Sequence, residues 1–134
     1  MSKSIDIRSK QRFENFKKAI KLYEEAIAPK MSRLEEEGLI QRFEYTFELA
    51  WKYLQDVLQE RGFAEIRGPK PVIEQSFQDG LISDGLIWMD MLKCRNETTH
   101  LYDQATFERV SQRVKGPFIE ALKKFHSAQL SAKK

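Results

Sequence analysis

Apolar residues recur at intervals of three and four through nearly the whole chain, and strict alternation is almost absent. That pattern predicts an all-α fold. The first helix is expected from about Ser9 to Ala26, burying Phe13, Phe16, Ile20, Tyr23 and Ile27, with Pro29 closing or kinking its end. Met31 to Gly38 reads as a short bridging segment. The strongest helix follows, with Leu39, Ile40, Phe43, Phe47, Ala50, Trp51, Leu54, Val57 and Leu58 on one face and Arg61-Gly62 as its stop. A second, mixed stripe of Arg42, Tyr45, Leu49 and Tyr53 suggests that more than one side of this helix meets protein.

Gly68-Pro69-Lys70-Pro71 is the clearest loop, and Val72, Ile73, Ser76 and Phe77 predict a short helix ending near Gly80. The next helix is expected to be capped by Ser83 or Asp84 and to carry Leu86 to about Thr99. Asp103 reads as the N-cap of the last helix, which turns Phe107, Val110, Val114, Phe118, Ile119, Leu122 and Phe125 inward and kinks at Gly116-Pro117. From about Ser127 a basic, frayed tail is expected. Four long helices and one short one, joined briefly, make an up-and-down bundle the simplest assembly. The run Leu86-Ile87-Trp88-Met89-Asp90-Met91-Leu92 is apolar on nearly every side, which one bundle does not readily cover; a homodimer would bury the remainder.

At 134 residues the chain is expected to form one domain over 1–134, large enough for a core without disulfides or a metal staple. Its single cysteine, Cys94, has no internal partner, which fits a reducing compartment. Met1-Ser2-Lys3-Ser4-Ile5-Asp6 has no apolar signal core, and no run approaches the roughly 18 uncharged residues of a membrane span. A cytoplasmic protein without a membrane association is expected. The formal charge of +3 is modest, and part of the excess lies in Lys123, Lys124, Lys133 and Lys134, so charge alone does not argue for nucleic-acid binding.

Candidate chemistry concentrates in Arg95-Asn96-Glu97-Thr98-Thr99-His100-Leu101-Tyr102, where a cation, a carboxamide, an imidazole and a phenol emerge from a buried helix. On an unbroken helix Arg95 and His100 would point about 140° apart and could not converge on one phosphate. Either the helix frays between Glu97 and Leu101, or a second protomer completes the site; both place it at a helix end. There the helix dipole favours a cation and helps to hold His100 as imidazolium. Arginine can clamp a phosphoryl oxygen and histidine can move a proton at a ribose oxygen, which together suffice for RNA cleavage without a metal or other cofactor. Asn96 could orient the imidazole or meet a base edge, and Tyr102 could stack on a base or donate to phosphate.

Each of these residues also has a structural role open to it. Arg95 could pair with Glu97 or Asp103, His100 could cap a helix, Asn96 could terminate one, and Tyr102 could pack half-buried. Cys94 reads as packing, His126 as a solvated residue of the tail, and Phe43, Phe47 and Trp51 as core. Glu44 and Glu48 are spaced like a helical carboxylate pair, but no histidine motif accompanies them, so no metal site is expected.

The residues resemble the HEPN superfamily (higher eukaryotes and prokaryotes nucleotide-binding). Arg95-Asn96 followed by His100 and Tyr102 fits its R-x4-H-x-Y motif. Gln41-Arg42-Phe43-Glu44-Tyr45-Thr46-Phe47-Glu48-Leu49-Ala50-Trp51-Lys52, Asp90-Met91-Leu92 and Tyr102-Asp103 are similar to one branch, the nucleotidyltransferase substrate-binding proteins or HepT-like toxins. That resemblance implies a helical bundle that dimerises with its motifs facing a shared cleft, and a minimal nucleotidyltransferase as partner. In its toxin form it implies RNA cleavage through Arg95 and His100, neutralised by AMP transfer to Tyr102. In its other form the protein is a non-catalytic subunit presenting nucleotide or substrate to the nucleotidyltransferase. The ribonuclease reading is favoured, because a binding pocket alone does not call for a titratable imidazole near an arginine.

Overall fold

The computed structural model describes residues 3–132, with side chains from residue 7. Among the described residues the secondary structure is entirely helical: α1 (Lys3–Glu25), α2 (Arg33–Glu60), α3 (Pro69–Gln78), α4 (Gly85–Asn96), α5 (Gln104–Arg113) and α6 (Ile119–Ala132). A single 3-10 turn, Thr98–His100, follows α4, and a π turn, Val114–Phe118, joins α5 to α6 in one continuous arm. Cross-helix contacts fix the directions. Arg8 and Arg12 meet Asp56 while Arg42 meets the Leu22 carbonyl, so α1 and α2 run antiparallel. Glu48 meets Arg95 and Glu44 meets Thr98, so α4 opposes α2; Arg113 meets Asp90 and Arg109 meets Glu97, so the last arm opposes α4. The result is the up-and-down bundle expected from the pattern, with α3 as the short fifth helix.

The core is aromatic. Phe43 stacks between Phe47 and Phe118, with centroids 5.9 and 5.2 Å away, and Trp88 meets Phe125 edge-on at 5.4 Å. Phe43, Phe47 and Trp88 are fully buried and Trp51 nearly so, as their helical spacing predicts. Asp103 does cap α5, its carboxylate accepting from the Thr106 amide at 3.0 Å. The expected kink at Gly116-Pro117 takes the form of the π turn. Pro117 has no N–H to give, and the Tyr23 hydroxyl donates to the nearby Val114 carbonyl.

Several boundaries differ from the sequence expectation. α1 begins at Lys3, well before Ser9, because its first turns are tied to the end of α2: Arg8 donates to Asp56 (3.2 Å) and Gln59 (3.0 Å), and Ser9 to Glu60 (2.7 Å). Met31 to Gly38 is not a bridge. Ser32 and Glu35 form a reciprocal capping box, and α2 starts at Arg33. Asp84 occupies the cap position of α4 without a side-chain bond, and α4 ends at Asn96, short of Thr99. The stretch from Ser127 is helical to Ala132, so no fray begins there; Lys133 and Lys134, like Met1 and Ser2, lie outside the described residues. His126 is half-buried, its ring stacked on Phe13 at 4.8 Å and edge-on to Phe16 at 5.8 Å, because α6 packs the expected tail against α1. No described helix is long and apolar enough to cross a membrane.

Candidate functional site

α4 ends where the chemistry begins. Trp88, Met91, Leu92 and Cys94 bury one side of it, and Glu97 leaves α-helical hydrogen bonding so that Thr98–His100 wind as a 3-10 turn. The break between Arg95 and His100 is therefore real, and the 140° divergence of a continuous helix does not apply.

Four contacts hold the broken segment. Glu48 of α2 accepts from Arg95 Nη2, and its other oxygen accepts from Trp51 Nε1 at 2.8 Å. Glu44, one turn earlier, accepts from the Thr98 hydroxyl at 3.0 Å; the same hydroxyl lies 2.8 Å from the Arg95 carbonyl. Arg109 of α5 grips Glu97 with two parallel bonds of 2.8 and 2.7 Å, and this pairing holds the Glu97 carboxyl below the usual carboxylate range. Arg33, at the start of α2, donates to the Leu101 carbonyl at 2.6 Å and lies over the Phe107 ring at 3.8 Å.

Arg95 thus has a structural partner, but it is Glu48, neither Glu97 nor Asp103. Those two are engaged by Arg109 and by the α5 N-terminus. Glu44 and Glu48 are legible in the sequence only as a spaced carboxylate pair; their role in bracing the motif depends on contacts some fifty residues away.

Within this frame the polar side chains fall into two groups. Arg95 is partly buried and donates through Nη1 to the exposed Asn96 Oδ1 at 3.2 Å. His100 and Tyr102 are both exposed, Tyr102 by 81%, with Nδ1 and Oη 3.1 Å apart and their rings nearly perpendicular. Tyr102 is therefore not a packing residue, and His100 caps nothing through its ring. No hydrogen bond or ion pair joins the two groups among the described residues. Cys94 is buried, with burial first and the Asp90 charge second pushing its thiol up to about 11. It is inert packing.

An all-helical bundle whose fourth helix breaks into a braced turn carrying Arg, Asn, His and Tyr is the class that the fold and site define. The family described as "Nucleotidyltransferase substrate binding protein like" matches residues 11–131, and the chain belongs to it. A relative from Haemophilus influenzae, "Probable ribonuclease HepT", is 31% identical over 88 residues, which are 63% of this chain and 60% of the relative. The match thus spans three fifths of that relative's length. A crystal structure of a protein from Thermus thermophilus superposes with a TM-score of 0.77 at 29% identity, covering 84% of this chain and 97% of the other. The resemblance to the HepT-like branch is borne out at the level of family.

Proposed function

We propose that this chain is a HEPN-type, metal-independent endoribonuclease, the toxin of a toxin–antitoxin pair that a cognate minimal nucleotidyltransferase silences by AMP transfer to Tyr102. The observation that carries the reading is the solvent-facing contact of 3.1 Å between His100 Nδ1 and Tyr102 Oη, on a turn that begins beside Arg95 and Asn96. An imidazole that faces solvent beside a phenol is within reach of a substrate oxygen brought to that surface.

In the cleavage step the ribose 2′-oxygen attacks the adjacent phosphorus, its proton passing to a base, while the bond from phosphorus to the 5′-oxygen breaks and that oxygen takes up a proton. The products are a 2′,3′-cyclic phosphate and a free 5′-hydroxyl. His100 serves one of these proton transfers, and Arg95 stabilises the charge that builds on the phosphoryl oxygens. Asn96 positions Arg95 through their shared bond. AMP transfer would join Tyr102 Oη to the α-phosphorus of ATP with loss of pyrophosphate. The resulting phosphodiester would stand within reach of Nδ1 and occupy the space a substrate phosphate needs. The protein would act in the cytoplasm as a homodimer of single-domain chains.

The alternative is a non-catalytic subunit that binds nucleotide for the nucleotidyltransferase. The pairing of Arg95 with Glu48 favours it, since a guanidinium already engaged suits a static pocket, and so does the family's description. Incubation of the purified protein with RNA in EDTA, beside His100→Ala, separates the two. Cleavage by the wild type alone supports the ribonuclease. No cleavage by either protein, with Tyr102 shown unmodified by mass spectrometry, refutes it in favour of the binding subunit.

A further inference from the structure

A groove of about 430 Å³ runs between α1 and α2, adjoining the motif. Ala19, Leu22 and Leu49 give it an apolar lining, and Tyr45, 37% exposed, lines it beside them. Glu48 forms part of the wall and is the residue that holds Arg95, so groove and motif share a side chain. Lys18 and Lys52 stand exposed at the rim on opposite helices. Neither is in an ion pair among the described residues, whereas Arg109, Arg113, Lys115 and Lys123 each have a carboxylate partner. With the Glu48 charge met by Arg95, the groove edge is net cationic.

We propose that this groove binds a nucleotide of single-stranded RNA flanking the one held at the motif, its base against Tyr45 and the apolar lining and its phosphates at Lys18 and Lys52. The assignment rests on the ribonuclease reading. The chemistry matches an aromatic platform with a basic rim, the arrangement that holds single strands without reading sequence. The volume is of ligand size. The two rim lysines favour a polyanion over an apolar partner surface.

The test is anisotropy binding of a 2′-O-methyl oligonucleotide of about twelve residues, in EDTA, over about 50–200 mM salt. Cleavage of the matching unmodified RNA by wild type is followed in parallel. Lys18→Glu/Lys52→Glu is expected to weaken binding ten-fold or more and to flatten the salt dependence by about 1.4 in log–log slope, two phosphate contacts' worth. Tyr45→Ala should lose about ten-fold with the slope unchanged, and Tyr45→Phe should restore it. Should the charge-reversed protein melt early, Lys18→Gln/Lys52→Gln replaces it. Wild-type cleavage with undiminished binding by the variants overturns the groove alone. Loss of an oligomer by the variants on size exclusion overturns it in favour of a contact between copies. Wild type that neither binds nor cleaves, with Tyr102 shown unmodified by mass spectrometry, overturns the ribonuclease reading itself.

Discussion

Glu48 and Arg95 form the joint between the central helix and the candidate site, and their coupling is measurable without any assumption about activity. Their side chains are 27% and 31% exposed, so the pair lies between a surface ion pair, worth about 0.2–1 kcal/mol, and a buried one whose disruption costs several. Discounted for solvent screening, a double-mutant cycle of Glu48→Gln, Arg95→Gln and the double variant should give an interaction energy of about 1 kcal/mol. At roughly 2.1 cal/mol/K per residue, 134 residues unfold with an entropy near 0.28 kcal/mol/K, so each single variant should melt about 3–4 °C below wild type from this loss alone. Glutamine at 48 can still accept from Trp51 Nε1, which keeps that bond out of the difference. The assay is urea and thermal unfolding by circular dichroism at low and high salt, with the coupling shrinking at high salt. An interaction energy of zero at low salt would refute the idea that Glu48 anchors Arg95.

Three other outcomes are expected. Burial against Phe13 and Phe16, reinforced by Lys17 and opposed by Glu14, lowers the His126 pKa; the unfolded chain therefore binds the proton more readily, and stability present above pH 6.5 is lost as pH falls towards the folded value. Urea titrations at pH 7.5 and 5.5 should show that loss in wild type and a smaller one in His126→Gln. Cys94 should react with iodoacetamide at pH 8 only as fast as the chain opens, with rapid labelling in urea; fast labelling of the native protein would contradict its burial. Ser32→Ala should cost about 1 kcal/mol by removing one half of the capping box, read as a lower urea midpoint with an unchanged slope.

What can be read in the chain follows the range of the forces involved. The apolar faces of α2 and of the last arm are local repeats, and the structure buries every residue assigned to them except Val57, which is partly buried. The start of α1 is illegible because Arg8 and Ser9 are held by Asp56, Gln59 and Glu60, whose proximity only the fold creates. The start of α2 does carry a local signal, the capping pattern Ser32-x-x-Glu35, but the scarcity of apolar residues between Arg33 and Gly38 masks it. His126 escapes a local reading for the opposite reason, since a basic sequence around it says nothing of the two phenylalanines that α1 brings to it. At the site, a fray between Glu97 and Leu101 is one of the two alternatives the sequence leaves open, and α4 ends slightly earlier, at Asn96. The braces are not legible, because Glu44, Glu48, Arg33 and Arg109 are distant in sequence from the groups they hold.

Arg33, Glu44 and Glu48 fall within about 60° of one another around α2, eleven and fifteen residues from the first, so one face of one helix meets the motif turn at three points. The octapeptide from Arg95 to Tyr102 is thus not a portable cassette. Grafted onto another helical bundle it would carry the right side chains on an unsupported turn, and a transplant that keeps its shape must move this face of α2, and Arg109 with it, as a single inheritance.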